Sequence, residues 1–324
     1  MRQAPRIFNH RLLRHRLSNV SAYNLDRDPR QLLCKNSPLT DEKCTKHVDY
    51  YNSSKNFDNI ENAMCEIADS FAERLSLVNR KFKNALIWGY RPELLIKALN
   101  KHQCLPESYI LAGTTTTCLE QSKHFDCEPN NSNKKAEAVT DLELIPFANN
   151  SFDLALCFCN LHWVNDLPGV MAQIQMSLKP DGLFQAVIAA GDSLLELRKA
   201  ILAVELKVSN GAAARVAPFL KLHDGASLLQ RTQYALSVAD VENLQLNYPS
   251  YIAAINDLRQ AGLAHFPASP PTSLNRKILQ GLEDASAPRQ ITLELMYMSG
   301  WRPAASQQKP LKRGSAQKLL ADYL

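Results

Sequence analysis

Two apolar strands joined by an amphipathic helix restrict the folds open to this chain more than any other feature. Phe152–Cys159 reads F-D-L-A-L-C-F-C and Leu183–Ala190 reads L-F-Q-A-V-I-A-A. Both have the length and the near-continuous apolar character of buried strands. Between them, Leu167–Leu178 places Val170, Ile174 and Leu178 four apart, the spacing of a helix with one apolar face. Lys179-Pro180-Asp181-Gly182 then supplies a turn, with Pro and Gly where a turn wants them. Strand, helix, strand at this spacing is a βαβ unit in a mostly parallel sheet.

The alternation extends to both sides. Ile67, Phe71, Leu75 and Val78 recur at helical spacing and predict a helix from Ile60 to near Arg80. Ala85–Trp88 is a short apolar strand. Pro92 suits the first turn of a helix whose apolar face is Leu94, Leu95 and Leu99. Tyr109–Ala112 is a second strand, and Thr114–Thr140, polar and rich in Asn and Lys, reads as loop or frayed helix. Ser193-Leu194-Leu195-Glu196 has the form of a capping box, opening a helix to about Val208. Ala235–Asn247 and Ile291–Met298 read as strands flanking a helix at Tyr251–Gln260. Phe266–Ser273 is a Pro/Ser loop before a short helix at Leu274–Gly281, and residues 26–58 read as a polar insertion.

Composition excludes several classes. A chain of 324 residues with 45% apolar and 21% charged residues builds a sizeable core. A net charge of +5 is too small and too dispersed to point to nucleic acid. No apolar run approaches the roughly eighteen residues that span a bilayer. The eight cysteines include no C-x-x-C pair, so reduced thiols are expected rather than a zinc or disulfide framework. Arg2, Arg6, Arg11, Arg14 and Arg16 precede the first acid, Asp26. That is the composition of a mitochondrial transit peptide and equally of a basic first helix.

Three runs carry a specific resemblance. They are Leu161-His162-Trp163-Val164-Asn165-Asp166-Leu167-Pro168, then Gly191-Asp192-Ser193-Leu194-Leu195-Glu196-Leu197-Arg198, and a tail. The tail holds Gly300-Trp301, Ser306-Gln307-Gln308-Lys309-Pro310-Leu311 and Gly314-Ser315-Ala316. With the opening Ile7–Arg14, the chain resembles the S-adenosylmethionine (SAM) methyltransferase-like family of the mitochondrial complex I assembly factor 5 and its alphaproteobacterial relatives. The resemblance covers most of the chain, apart from about residues 24–58 and 114–136. It implies an α/β class I SAM-methyltransferase, Rossmann-like sheet with an N-terminal helical arm and a C-terminal cap. The expected division is an arm and insertion at 1–59, a core at 60–192, and a part completing sheet and cap at 193–324.

The resemblance also implies a cofactor site with definite needs. Glycine in the loop after the first strand lets backbone approach the ligand. An acid ending that strand holds the methionine ammonium, an acid ending the second takes the ribose hydroxyls, and a third acid takes the adenine amino group. Against the pattern D-L-G-C-x-x-G the chain has Ile87-Trp88-Gly89-Tyr90-Arg91-Pro92-Glu93. Gly89 is kept, Ile87 replaces the acid, and the second glycine falls at Pro92 or Glu93 or is deleted. The second strand ends Ile110-Leu111-Ala112-Gly113, without an acid. Asp141, ahead of Pro146-Phe147, matches the family's D-x-x-x-[LI]-P-F. Two lost anchors, at roughly 1.5–3 kcal/mol each, cost about two to four orders of magnitude in affinity. Glu93, at the predicted helix start, is the available substitute acid.

The site residues implied for SAM are Gly89, Tyr90, Asp141, Leu142, Cys159 and Asn160. His162 and Asp192 are the implied catalytic residues. His162 is a candidate general base, and its rival role is packing the strand end, with Trp163, against the Asp166–Pro168 helix cap. Asp192 faces substrate or caps a helix, Asn165-Asp166 caps the following helix, and the side chains of Cys157 and Cys159 pack in the core. Lys309, Lys312 and Arg313 form a solvated basic face or dock a partner.

Three functions are open: a SAM-dependent methyltransferase of unknown acceptor, a cofactor-poor assembly factor for respiratory complex I, and a protein-arginine hydroxylase. For the last, no triad of two histidines and a carboxylate is evident. The expected partner is a protein substrate or a respiratory complex subunit, with no nucleic acid and no transmembrane segment. Only seven residues precede Phe8, where the family's first helix would begin. This favours a bacterial cytoplasmic protein, with the mitochondrial matrix or inner-membrane surface as the alternative.

Overall fold

Seven strands form one sheet: Asn84–Gly89 (β1), Ser108–Gly113 (β2), Lys134–Val139 (β3), Phe152–Phe158 (β4), Leu178–Ala189 (β5), Ala235–Asn247 (β6) and Gln290–Trp301 (β7). Their order is β3-β2-β1-β4-β5-β7-β6. Strands β1 to β5 pair in parallel, and β7 is antiparallel to both of its neighbours, β5 and β6. The computed structural model describes residues 58–114, 134–141, 143–209, 211–213, 215–216, 218–262, 274–284 and 290–308. The arginines from Arg2 to Arg16, the opening Ile7–Arg14, the insertion up to residue 57, Leu142, the Phe266–Ser273 loop and the tail from Lys309 lie outside the described residues.

Helices cover both faces. Asp58–Ser76 (α1), Pro92–Lys101 (α2), Leu195–Ser209 (α4), Tyr251–Gln260 (α6) and Arg276–Glu283 (α7) contribute to one core cluster. Leu167–Ser177 (α3) and Leu222–Arg231 (α5) contribute to the other. Successive strand residues point to opposite faces, and β1 shows it: Ala85 and Ile87 join the first cluster, Leu86 and Trp88 the second. The buried strands read as continuous apolar runs because both of their faces are covered.

Several expectations change. Thr114–Thr140 is not all loop or frayed helix: Lys134–Val139 is the edge strand β3, paired in register with β2. Helix α1 ends at Ser76 rather than near Arg80. Arg80 instead donates to the Asp181 carbonyl at 2.5 Å and its carboxylate at 2.9 Å. Gln307 also donates to Asp181, at 2.9 Å. Arg302 donates to Asn150 at 2.6 Å and to the Leu178 carbonyl. Arg80, Arg302 and Gln307 therefore lock the start of β5, at the end of the sheet opposite the ligand edge; Lys179–Gly182, expected as a turn, lies inside β5, where the register with β4 shifts. The capping box is corrected too. Glu196 accepts from the Thr292 amide at 3.1 Å and hydroxyl at 2.7 Å, across on β7. Ser193 Oγ donates to the Ala190 carbonyl at 2.7 Å.

The close approach of β1 and β4 has a measurable consequence. A Cβ on Gly89 would collide with the Phe158 carbonyl and lie 2.8 Å from Phe158 Cβ. Gly89→Ala is expected to lower stability by about 1–3 kcal/mol through overpacking, read as an earlier urea midpoint. An unchanged midpoint would mean that the two strands part freely.

Candidate functional site

Strands β1 and β4 are neighbours, but the chain leaves β1 toward β2 on one side and β4 toward β5 on the other. Such a switch point opens a crevice at the carboxyl ends of the strands, where ligands of α/β sheets sit. The described candidates cluster along this edge: Gly89 and Tyr90 at β1, Asp141 after β3, Cys159 to Trp163 after β4, and Asp192 after β5.

Two groups of contacts shape the edge. His162 Nε2 and Trp163 Nε1 both lie on the Gly262 carbonyl, at 3.0 and 2.8 Å. Gly262 follows α6 with φ +64, and a Cβ there would stand 3.2 Å from the Tyr90 ring. Tyr90, His162 and Trp163 thus meet around one glycine. A carbonyl only accepts, so Nε2 carries the proton, and in the neutral ring Nδ1 is the basic nitrogen. In the second group, Asp141 accepts from the Glu143 amide at 2.8 Å. Burial pushes its carboxyl pKa up, against that hydrogen bond. Glu143 Oε1 in turn accepts from the Asn165 amide at 3.0 Å and side chain at 2.8 Å. The acid loop is thereby stitched to the loop after β4. Of the expected helix cap, Asp166 does cap α3 by accepting from Gly169, whereas Asn165 binds Glu143.

The remaining candidates divide. The Cys159 side chain is fully buried in the core and its thiol pKa is pushed up to about 12 by burial. Its backbone is left-handed at φ 50, and its amide donates to the Val187 carbonyl at 3.0 Å. Asp192 is exposed, and its amide donates to Glu294 Oε2 at 3.2 Å. Gly191 needs to be glycine: φ is +51, and a Cβ would strike the Glu294 carboxylate. Leu142 lies outside the described residues.

Unsatisfied polar atoms mark the site more sharply than the motifs do. Glu93 Oε2, Thr140 Oγ1 and both amide atoms of Asn160 are buried without a hydrogen-bond partner among the described residues. They follow β1, β3 and β4 at the carboxyl edge. Native proteins satisfy nearly all buried polar groups, so three orphans on one edge describe a place shaped for a polar ligand. Ile87 and Ala112, which replace the two missing acids, are core residues. Even so, the residues present fit SAM. Asp141 offers an acceptor for the adenine amino group, Asn160 an acceptor and donors, and Glu93 an anion near the lost one. Thr140 and Arg91 escaped notice in the sequence, whereas Glu93 was the substitute acid it offered; the one available signal for Arg91 was a cation two residues before that acid.

A mostly parallel seven-stranded sheet with an antiparallel β7, helices on both faces and a crevice between β1 and β4 defines a class I SAM-methyltransferase-like protein. SAM is the cofactor of that class. A family model described as a methyltransferase domain matches residues 105–186. The crystal structure of YcgJ from Bacillus subtilis superposes with a TM-score of 0.50 at 16% identity, over 72% of this chain and 98% of that one. The Danio rerio protein named arginine-hydroxylase NDUFAF5, mitochondrial, is 33% identical over 268 residues, 79% of this chain and 80% of its own length. A malonyl-[acyl-carrier protein] O-methyltransferase of Laribacter hongkongensis is 32% identical over 186 residues, 55% of this chain and 61% of its own. The chain belongs to the NDUFAF5 family. Among the described residues, no helix is long and apolar enough to cross a membrane.

Proposed function

We propose that the protein is a SAM-dependent methyltransferase. The buried amide of Asn160, unpartnered among the described residues, at the switch point beside the Asp141 loop, supports this reading. When bound, SAM supplies a methyl group on a sulfonium. Asp141 and Asn160 would hold its nucleoside, Gly89 and Tyr90 would line its loop, and Trp163 would wall the pocket. His162, held through Nε2 by Gly262 with Nδ1 buried, is the candidate base for the acceptor's proton, which must reach it through the crevice, with Asp192 at the substrate mouth. His162→Gln is expected to lower turnover by roughly 10²–10⁴-fold while S-adenosylhomocysteine affinity changes less than about threefold. The assay is S-adenosylhomocysteine production from SAM in a protein extract containing the acceptor. Unchanged turnover in the variant would remove His162 from catalysis.

A second reading, an assembly factor for a respiratory complex that works by binding, is favoured by Ile87 and Ala112, where core residues stand in place of cofactor acids. Arginine hydroxylation rests on the names of relatives such as the Danio rerio and Homo sapiens proteins. We further assign residues 1–59 to an arm, 60–192 to the core and 193–324 to the part completing sheet and cap, and place the protein in a bacterial cytoplasm.

A further inference from the structure

Arg91, between β1 and α2, holds a left-handed backbone, φ 53 and ψ 54, with no side-chain cap on the helix it precedes. That conformation favours glycine, so the arginine there is held by its side chain. Its guanidinium forks onto Glu61 of α1, with Nη1 2.5 Å from Oε2 and Nη2 2.9 Å from Oε1. Its Nε donates to Glu93 Oε1 at 2.6 Å. Burial works against the charge on Arg91, but the two carboxylates outweigh it and its pKa is raised. The two acids differ. The Glu93 side chain is 2% exposed, whereas the Glu61 side chain is 35% exposed and sits on another element. Glu61 is free to swing into water and Glu93 is not. Glu93 keeps one buried oxygen, Oε2, unpartnered among the described residues.

We propose that Arg91 and Glu93 form a clamp for an α-amino-acid zwitterion, the methionine end of SAM, with Glu61 occupying the carboxylate's place in the free protein. The inference rests on the methyltransferase reading and names how that cofactor is held. The ligand carboxylate takes the guanidinium fork, the bidentate geometry that Arg offers to a carboxylate. The ligand ammonium takes Glu93 Oε2. Without ligand, the cluster holds two acids and one cation. With the zwitterion in and Glu61 released, the charges left in the clamp cancel, as a poorly solvated site requires. The clamp accounts for two departures from the family pattern together: the acid absent at Ile87 and the acid, Glu93, standing where the second glycine falls.

The test is calorimetry on the full chain with S-adenosylhomocysteine and with 5′-methylthioadenosine, which keeps the nucleoside thioether and lacks the amino-acid end. Wild type is expected to bind the first roughly 10- to 100-fold more tightly. Arg91→Met is expected to shrink that ratio to about threefold or less, and Arg91→Lys, which keeps the charge without the fork, to give an intermediate ratio. Glu61→Gln removes the internal competitor without touching Arg91 or Glu93. It is expected to tighten S-adenosylhomocysteine about three- to tenfold and leave 5′-methylthioadenosine unchanged. A ratio that survives in both Arg91 variants, or a Glu61→Gln protein that binds S-adenosylhomocysteine more weakly, overturns the clamp. If wild type binds both compounds equally, the clamp fails and the nucleoside site stands. If it binds neither, the clamp and the methyltransferase reading fail together.

Discussion

Arg215→Ala is expected to destabilise the protein by about 3–5 kcal/mol, the cost of leaving a buried charge without its partner. The partner is Glu205 of α4, whose side chain is 3% exposed. Arg215 Nη2 lies 2.6 Å and Nε 2.7 Å from Glu205 Oε1, and the Ala213 amide donates to Oε2 at 3.0 Å. The pair fastens the segment after α4, and further along that segment the Leu220 carbonyl accepts from the Gly191 amide at 2.9 Å. Losing it loosens the turn that carries Asp192. Urea denaturation reads the effect, and the double change Glu205→Leu with Arg215→Met is expected to recover most of the loss, since an apolar pair leaves no stranded charge. A single variant as stable as wild type would show that water reaches Glu205.

Asn160→Leu is expected to move stability and binding in opposite directions. Both polar atoms of the Asn160 amide are buried and unpartnered among the described residues, and an unsatisfied buried group costs about 1–3 kcal/mol. Leucine, of similar size, removes that cost, so the free protein gains up to that amount. The same change removes the acceptor and donors meant for the ligand, and S-adenosylhomocysteine affinity falls roughly tenfold or more. Opposed signs are the mark of a polar group kept for function at the expense of stability. A less stable variant with unaltered binding would make Asn160 a structural residue.

The parts of the fold that were legible in the sequence are those whose burial writes a strong pattern. Strand β4 is an apolar run with both faces covered, and β6 and α6 occupy the spans Ala235–Asn247 and Tyr251–Gln260 that their sequences indicate. Strand β3 was illegible because an edge strand pairs on one side only, and K-K-A-E-A-V carries little apolar signal. Val78 extended the helical spacing past the true end of α1, yet it packs against the core from a turn, its amide on the Leu75 carbonyl at 3.0 Å. Helix α5, Leu222–Arg231, has no counterpart in the sequence reading. Glu196 looked like a local capping partner, and its real partner, Thr292, lies 96 residues on. The site divides in the same way. Asp141 and His162 sit in motifs and could be found by them. The Arg91 cluster could not, because Glu61 reaches it from 30 residues away in sequence.

Calorimetric titration of the full chain with SAM, beside Asp141→Ala, tests the cofactor site most directly. The expected result is micromolar binding that the variant weakens roughly 10- to 100-fold, as the loss of a charged hydrogen bond requires. It would mean that Arg91, Glu93 and Asn160 make good the acids absent at Ile87 and Ala112. No binding at millimolar SAM would contradict it, and the sheet would then serve protein partners without a cofactor.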